Sequence, residues 1–359
     1  MTKKQSYSAP GRVCLYGEHQ DYLKLTVIPA AINLRTTLSI ERNNSNEIRV
    51  ESVDLEMSDT FKIGEDISLA KDEFDYIRAI IMVLFKEGLA KEIPGFNISI
   101  SSHIPIGSGL SSSAAILVSW LTALNDQLKL ELNKTEIADL CFIAENKILG
   151  INCGIMDQYS SSLGGIFSLD CDGPPYNIQH FTTPLDGLVI GDSCVRRSAN
   201  KPLTFLKNQI INGFEKIQKQ GDFKLRSLAS DTLTEFRDII TEDEYRRLLG
   251  VITIRNITER SSVELSKSSN QDIECLGSLL TKQQTMLRDY LGVSIPELDN
   301  LVDVSIKSGA LGAKLTGAGL GGCIIALAPG REEEVANAIN NAGGKATICK
   351  IDYKGAKKE

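Results

Sequence analysis

Histidine is scarce in this chain, and paired cysteine motifs are missing. Of 359 residues only three are His, at 19, 103 and 180, far apart along the chain. Eight Cys stand at 14, 141, 153, 171, 194, 275, 323 and 349, and no two form a C-x-x-C pair. The spacings of structural zinc sites and of thioredoxin-like redox centres are therefore excluded. Several Cys sit in apolar stretches, such as Val13-Cys14-Leu15 and Gly322-Cys323-Ile324. They read as reduced, buried thiols of a cytoplasmic protein. Long apolar runs are also lacking: Ile324 to Ala328 is typical, against the roughly 18 residues a membrane helix needs. No apolar stretch follows the basic start Met1-Thr2-Lys3-Lys4-Gln5, so no signal peptide is expected. Nor is there an excess of positive charge. Lys and Arg number 39 against 46 Asp and Glu, a net charge of −7, which argues against nucleic acid or an anionic membrane as partner. A small anionic substrate stays possible, because it needs only a local positive site.

The composition that remains, 42% hydrophobic and 24% charged, is that of a soluble globular protein long enough for two domains. Repeats and low-complexity tracts are absent. The stretch Pro105-Ile106-Gly107-Ser108-Gly109-Leu110-Ser111-Ser112-Ser113 carries the first chemical signal. An alternating run, Phe96 to Ser101, precedes it as a strand, and Ala114 to Leu128 follows at helical spacing. A Gly/Ser loop feeding a helix start is a candidate phosphate site. Gly107 and Gly109 allow backbone N–H groups to approach closely, and the serines can cap the helix and donate hydroxyls. No Lys follows in the P-loop position. A flexible, well-capped turn is the plainer alternative.

Two further stretches carry polar groups at strand ends. Residues 8–22 place Arg12 at the start of a short strand, Val13 to Tyr16, and Glu18, His19 and Asp21 at its end. Carboxylates beside an imidazole suit vicinal hydroxyls, since each carboxylate accepts several O–H bonds. A solvated turn with an incidental salt bridge is the competing reading. Residues 312–323 form a Gly-rich turn ahead of a buried strand, either a ligand-approaching loop or a tight hairpin.

Between and around these, helices are expected over 74–91, 133–149, 202–219, 243–266, 271–290 and 332–341. Strands are expected over 27–32, 36–40, 165–170, 188–193 and 346–351, with a frayed charged tail. By themselves Glu145 reads as an exposed helix carboxylate and Asp157 as a helix cap. Asp172-Gly173-Pro174-Pro175 is the best candidate domain boundary.

In this order and spacing the three loops resemble the signature motifs of the GHMP small-molecule kinases. Within that superfamily, Gly11-Arg12 and Gly17-Glu18-His19-Gln20-Asp21-Tyr22 are similar to the galactokinase pattern G-R-x-N-L-I-G-E-H-T-D-Y. Cys153-Gly154-Ile155-Met156-Asp157-Gln158 resembles the segment bearing the catalytic Asp, and Asp192 to Ser198 resembles N-S-N-V-R-H-S. Pro296-Glu297-Leu298-Asp299 looks like a segment shared by galactokinases and mevalonate kinases.

The resemblance implies an α+β fold of two domains. Residues 1–175 would form a ribosomal-S5-like N-terminal domain and residues 176–359 a ferredoxin-like C-terminal domain, with the active site in the cleft between them. It implies ATP and Mg²⁺, a small sugar as substrate, and no protein partner. Arg12 and Asp157 would be catalytic. Glu18, His19, Asp21 and Gly154 would hold the sugar. Gly107, Ser108, Gly109, Leu110, Ser111, Ser112 and Ser113 would wrap the triphosphate, and Ser113 and Glu145 would ligate Mg²⁺. The loop Gly317 to Gly322 would support the others.

Departures bear on the sugar. Cys14 stands for the usual Asn, Leu23-Lys24-Leu25 for Asn-Gly-Gly, and no Tyr occurs near Thr204. Lys314-Leu315-Thr316-Gly317-Ala318-Gly319 reads more like mevalonate kinase than R-M-T-G-G-G-F. A uronic acid, arabinose or N-acetylgalactosamine, mevalonate, or a non-catalytic sugar sensor stay open as alternatives to galactose.

Overall fold

The computed structural model describes residues 4–64, 66–182, 184–196 and 201–359, with backbone only at Lys201 and Pro202. Of the stretch Asp192 to Ser198, Arg197 and Ser198 lie outside the described residues. The strands of the first half are β1 (Gln5–Tyr16), β2 (Thr26–Arg42), β3 (Glu47–Ser52), β4 (Met57–Lys62), β5 (Phe96–Ser102), β6 (Ile166–Asp170) and β7 (Asn177–Phe181). They join one mixed sheet in the order β1-β2-β5-β3-β4, with β6 on β2 and β7 on β6.

Helices α1 (Asp75–Lys86), α2 (Ser112–Leu128), α3 (Lys134–Ile143) and α4 (Met156–Leu163) belong to this half. Burial of Trp120, Leu117, Leu121 and Leu124 on α2, and of Ile77, Ile80, Ile81 and Leu84 on α1, places both helices in the same core as β1, β2 and β5. α1 stops at Lys86 rather than running on to 91, because Gly88 takes φ +69° and turns the chain.

In the second half β8 (Leu188–Asp192), β9 (Gly312–Thr316), β10 (Cys323–Leu327) and β11 (Lys345–Cys349) form an antiparallel sheet ordered β11-β8-β10-β9. Alternation assigns its faces. Leu188, Ile190, Ile325 and Leu327 pack in the first core, while Val189, Ile324 and Ala326 pack in a second one. Helices α5 (Lys201–Gln218), α6 (Ser230–Thr234), α7 (Glu242–Leu265), α8 (Ile273–Thr285), α9 (Pro296–Lys307) and α10 (Glu332–Asn341) complete the half. The fold is α+β, as expected.

The boundary expected at 175 lies between β6 and β7, which pair as a hairpin. The charged tail, expected to fray, does not. A short strand β12 (Lys357–Lys358) pairs with Tyr7 and Ser8 of β1, and Lys358 Nζ donates to Asp126 Oδ2 at 2.8 Å. The edge of β1 offered unpaired backbone groups that a short polar strand can satisfy. All eight cysteines are free, and Cys14, Cys141, Cys171, Cys323 and Cys349 are buried. Among the described residues no helix is long and apolar enough to cross a membrane.

Candidate active site

At Gly11–Arg12 strand β1 slips out of register with β2, and the freed Arg12 N–H donates to Leu110 O at 3.1 Å. Glycine at 11 permits the approach, since a Cβ there would lie 2.7 Å from Leu110 O. The Arg12 side chain is thereby sunk between the strand and the Gly/Ser loop. Its Nη1 donates to Gly109 O at 2.5 Å. Its Nε and Nη2 reach Asp157 Oδ1 at 2.8 and 2.6 Å. Burial opposes the Arg12 charge, but Asp157 and Glu18 outweigh it and hold the guanidinium above its ordinary pKa.

The Gly/Ser loop turns through Gly107 (φ +67°) and Gly109 (φ +84°) into α2. The expected serine cap is not made. Ser111 occupies the cap position at φ +64°, and its hydroxyl bonds no helix amide. A capping side chain needs an extended backbone at that position, which the left-handed turn denies it. Ser111 Oγ is buried without a partner among the described residues. The first-turn amides of α2 have no carbonyl behind them, so this end of the helix offers free donors and a hydroxyl without a partner among the described residues.

An open cleft of about 320 Å³ runs along the loop, with Arg12 and Asp157 at one end and Phe74, Tyr76 and Ile100 among its walls. The third loop backs the first, backbone against backbone. A Cβ on Gly317 would meet Gly109 O at 2.7 Å, and one on Gly322 would meet Ser108 O at 2.5 Å. Hence the segment 317–322 is both the β9–β10 hairpin turn and the backing of the Gly/Ser loop.

Asp157 lies in the first turn of α4, two residues past the cap Ile155, and its carboxylate faces Arg12 instead of capping. Both Arg12 nitrogens address the same oxygen, which leaves Oδ2 without a donor among the described residues. Glu145, expected on an exposed face, is 5% exposed. It sits in a single π-turn, Ala144–Ile148, where the extra residue per turn shifts side chains off the 3.6-residue pattern. Gln158 Nε2 donates to it at 2.5 Å, and the Ser113 hydroxyl lies beside it. Burial first, then the Asp157 charge, pushes its pKa up to about 7.

Near Asp157 lies Asp21, with the other residues expected to hold the sugar. Asp21 Oδ1 accepts from Tyr22 N at 2.9 Å. Its pKa is pushed up to about 6, first by loss of water and then by Asp157. Gly154 touches it: a Cβ there would sit 1.7 Å from Asp21 Oδ2. Buried His19 takes φ +63° and pairs Nδ1 with the Tyr22 hydroxyl at 3.1 Å. Glu18 is 2% exposed, and one of its oxygens is held by Lys314 Nζ at 2.8 Å. Thr204 lies exposed on α5, one turn before Lys207, whose Nζ donates to Asn152 Oδ1 at 3.0 Å.

The model of the GHMP kinases N-terminal domain matches residues 75–165, that of the GHMP kinases C-terminal region matches 263–345, and the galactokinase galactose-binding signature matches 2–42. A galactokinase of Clostridium acetobutylicum is 32% identical over 97% of this chain and 90% of its own. The chain belongs to the GHMP kinase family. A mevalonate kinase of Pyrococcus horikoshii is 31% identical, covering 100% of this chain and 99% of its own. The crystal structure of a Lactococcus lactis galactokinase complexed with galactose superposes with a TM-score of 0.87 at 25% identity, covering 99% of this chain and 95% of that one.

Three site residues of this GHMP kinase were not assigned roles from sequence. Tyr76 lies beside the Ser113 hydroxyl, Gln158 bonds Glu145, and Lys314 bonds Glu18. Only Gln158 had a local signal, its place one residue after Asp157. Tyr76 read as part of an apolar helix and Lys314 as part of a loop motif.

Ser113 and Glu145 fit a magnesium ion. They supply hard oxygen ligands, and Mg²⁺ takes few protein ligands and completes its shell with phosphate and water. The raised pKa of Glu145 marks a carboxylate short of positive charge. Groups of three or more His, Cys, Asp or Glu able to hold a metal do not occur among the described residues. A two-ligand site is what this arrangement offers.

Proposed function

We propose that this GHMP kinase is an ATP-dependent galactokinase, transferring the γ-phosphoryl group of ATP to the anomeric hydroxyl of galactose. The observation that carries the reading is the Arg12–Asp157 pair. It ties β1 and the start of α4 to the Gly/Ser loop, with Asp157 Oδ2 left open. The galactose-binding signature over residues 2–42 supports the choice of sugar.

In this reading the amides at the start of α2 and the Ser111 hydroxyl take the triphosphate. Bound between Ser113 and Glu145, Mg²⁺ would neutralise charge on the phosphate oxygens. Asp21, His19 and Glu18 receive sugar hydroxyls, and the close fit of Gly154 keeps Asp21 in place. Asp157 Oδ2 accepts the anomeric proton as the sugar oxygen bonds to the γ-phosphorus and the bond to the ADP oxygen breaks. Arg12 sits where charge builds between the acceptor oxygen and the γ-phosphate. A loose transition state needs its proton taken only late, so Asp157 contributes orientation before it contributes basicity.

The test is ADP release with Mg-ATP and a panel of galactose, N-acetylgalactosamine, galacturonate, glucuronate, arabinose and mevalonate, with phosphorus NMR of the product. Galactose 1-phosphate as the dominant product supports the proposal. The 31% identity to a mevalonate kinase and the Lys314-Leu315-Thr316-Gly317-Ala318-Gly319 segment favour mevalonate as the second reading, and turnover of mevalonate alone would establish it.

A further inference from the structure

Lys314 is fully buried, and its three ammonium donors are all used: Nζ lies 2.8 Å from Cys14 O, 2.8 Å from Glu18 Oε2 and 2.7 Å from Leu315 O. The need for it begins in the first sheet. Cys14 stands opposite Pro29 on β2, and Pro29 has no N–H to offer. The register then breaks between Cys14 and Tyr16. Side chains from β9 replace the missing ladder: Lys314 donates to Cys14 O, and Thr316 Oγ1 accepts from Cys14 N at 2.9 Å. Strand β9 of the second sheet thus fixes the end of β1, where Glu18, His19 and Asp21 begin.

A buried ion pair is a poor source of net stability, because desolvating both charges cancels most of their attraction. What it supplies is direction. Glu18 has one oxygen tied to Lys314, and no described residue donates to the other. We propose that Lys314 is a positioning residue for the acceptor: it orients the Glu18 carboxylate so that the second oxygen receives a substrate hydroxyl. This rests on the reading that Glu18 contacts the sugar. Around Glu18 the titratable and charged neighbours among the described residues are Arg12 and Cys14 on β1, Asp21 and Tyr22 in the following turn, and Lys314 on β9.

The experiment compares Lys314→Met, Lys314→Arg, Glu18→Gln and the double variant Glu18→Gln/Lys314→Met in the full-length protein. Lys314→Met should raise KM for galactose about tenfold or more, with KM for ATP little changed. Lys314→Arg should recover part of the loss. In the Glu18→Gln background Lys314→Met should cost nothing further, because its effect runs through Glu18. The double variant also buries no charge, so it serves if Lys314→Met alone does not fold. A purely structural Lys314 would raise both KM values together, and that would overturn the proposal. If Glu18→Gln weakens galactose binding but Lys314→Met does not, only this inference fails. If Glu18→Gln has no effect, the sugar reading of Glu18 fails with it.

Discussion

Arg12 grips one oxygen of Asp157 with two nitrogens, Nε at 2.8 Å and Nη2 at 2.6 Å, and holds Gly109 O with the third. One side chain therefore fixes the Asp157 carboxylate and the Gly/Ser loop relative to each other. In the proposed reaction the oxygen it leaves open is the one that takes the substrate proton. Asp157→Asn keeps an acceptor for Arg12 but offers an amide where the proton must go. Its kcat should fall by about 10²–10⁴ while ATP affinity stays within a few-fold. Single-turnover transfer alongside nucleotide titration measures both, and turnover within tenfold of the parent would remove Asp157 from the proton path.

Gly154 is placed where a single methyl reports on the acceptor site. In Gly154→Ala the new Cβ would fall 1.7 Å from Asp21 Oδ2, and Asp21 has to give way. KM for the sugar should rise by about tenfold or more with KM for ATP unaffected, a split read from initial rates. Equal changes in both would place Gly154 outside the sugar site.

Two site carboxylates oppose folding of the empty protein. Asp21 is raised from 3.8 to about 6, and Glu145 from 4.5 to about 7, in each case first by burial. A carboxyl with a folded pKa above its unfolded one contributes stability that is complete below the unfolded value and fades as pH rises through the folded one. The ligand-free protein should therefore lose stability between about pH 4 and pH 7 through these groups. Asp21→Asn and Glu145→Gln should each raise Tm at pH 8 by a few degrees and change it little at pH 4.5. Thermal melts at the two pH values decide it; no stabilisation at pH 8 would contradict the burial argument.

The same Glu145 should answer to magnesium. Glu145→Gln removes the charge but keeps an oxygen for Gln158 and Ser113, so packing survives. The Mg²⁺ concentration giving half-maximal nucleotide binding should rise by about tenfold or more. Titration of nucleotide binding with the metal tests this without turnover, and an unchanged midpoint would remove Glu145 from the metal site.

Much of the fold was legible along the chain. The 3.6-residue spacing of Ile77, Ile80, Ile81 and Leu84 marks α1, and the alternation Phe96 to Ser101 marks β5. The three loops could be read because glycine needs are local: Gly107, Gly109 and Gly317 take left-handed angles that other residues resist. The frayed-tail expectation failed because Lys357 and Lys358 look solvent-seeking until an open edge of β1 stands beside them. Glu145 misled for a similar reason, since one π-turn undoes the periodicity by which faces are assigned.

By itself the sequence determined where strands, helices and tight turns form, and which residue types could bind phosphate or hydroxyls, because those depend on neighbours within a few residues. Only the tertiary structure decided which charges meet. Arg12 and Asp157 are 145 residues apart, and Glu18 and Lys314 are 296 apart. Such pairs come together because a bulged strand and a proline leave backbone groups that must find partners when buried, and only another part of the folded chain can supply them.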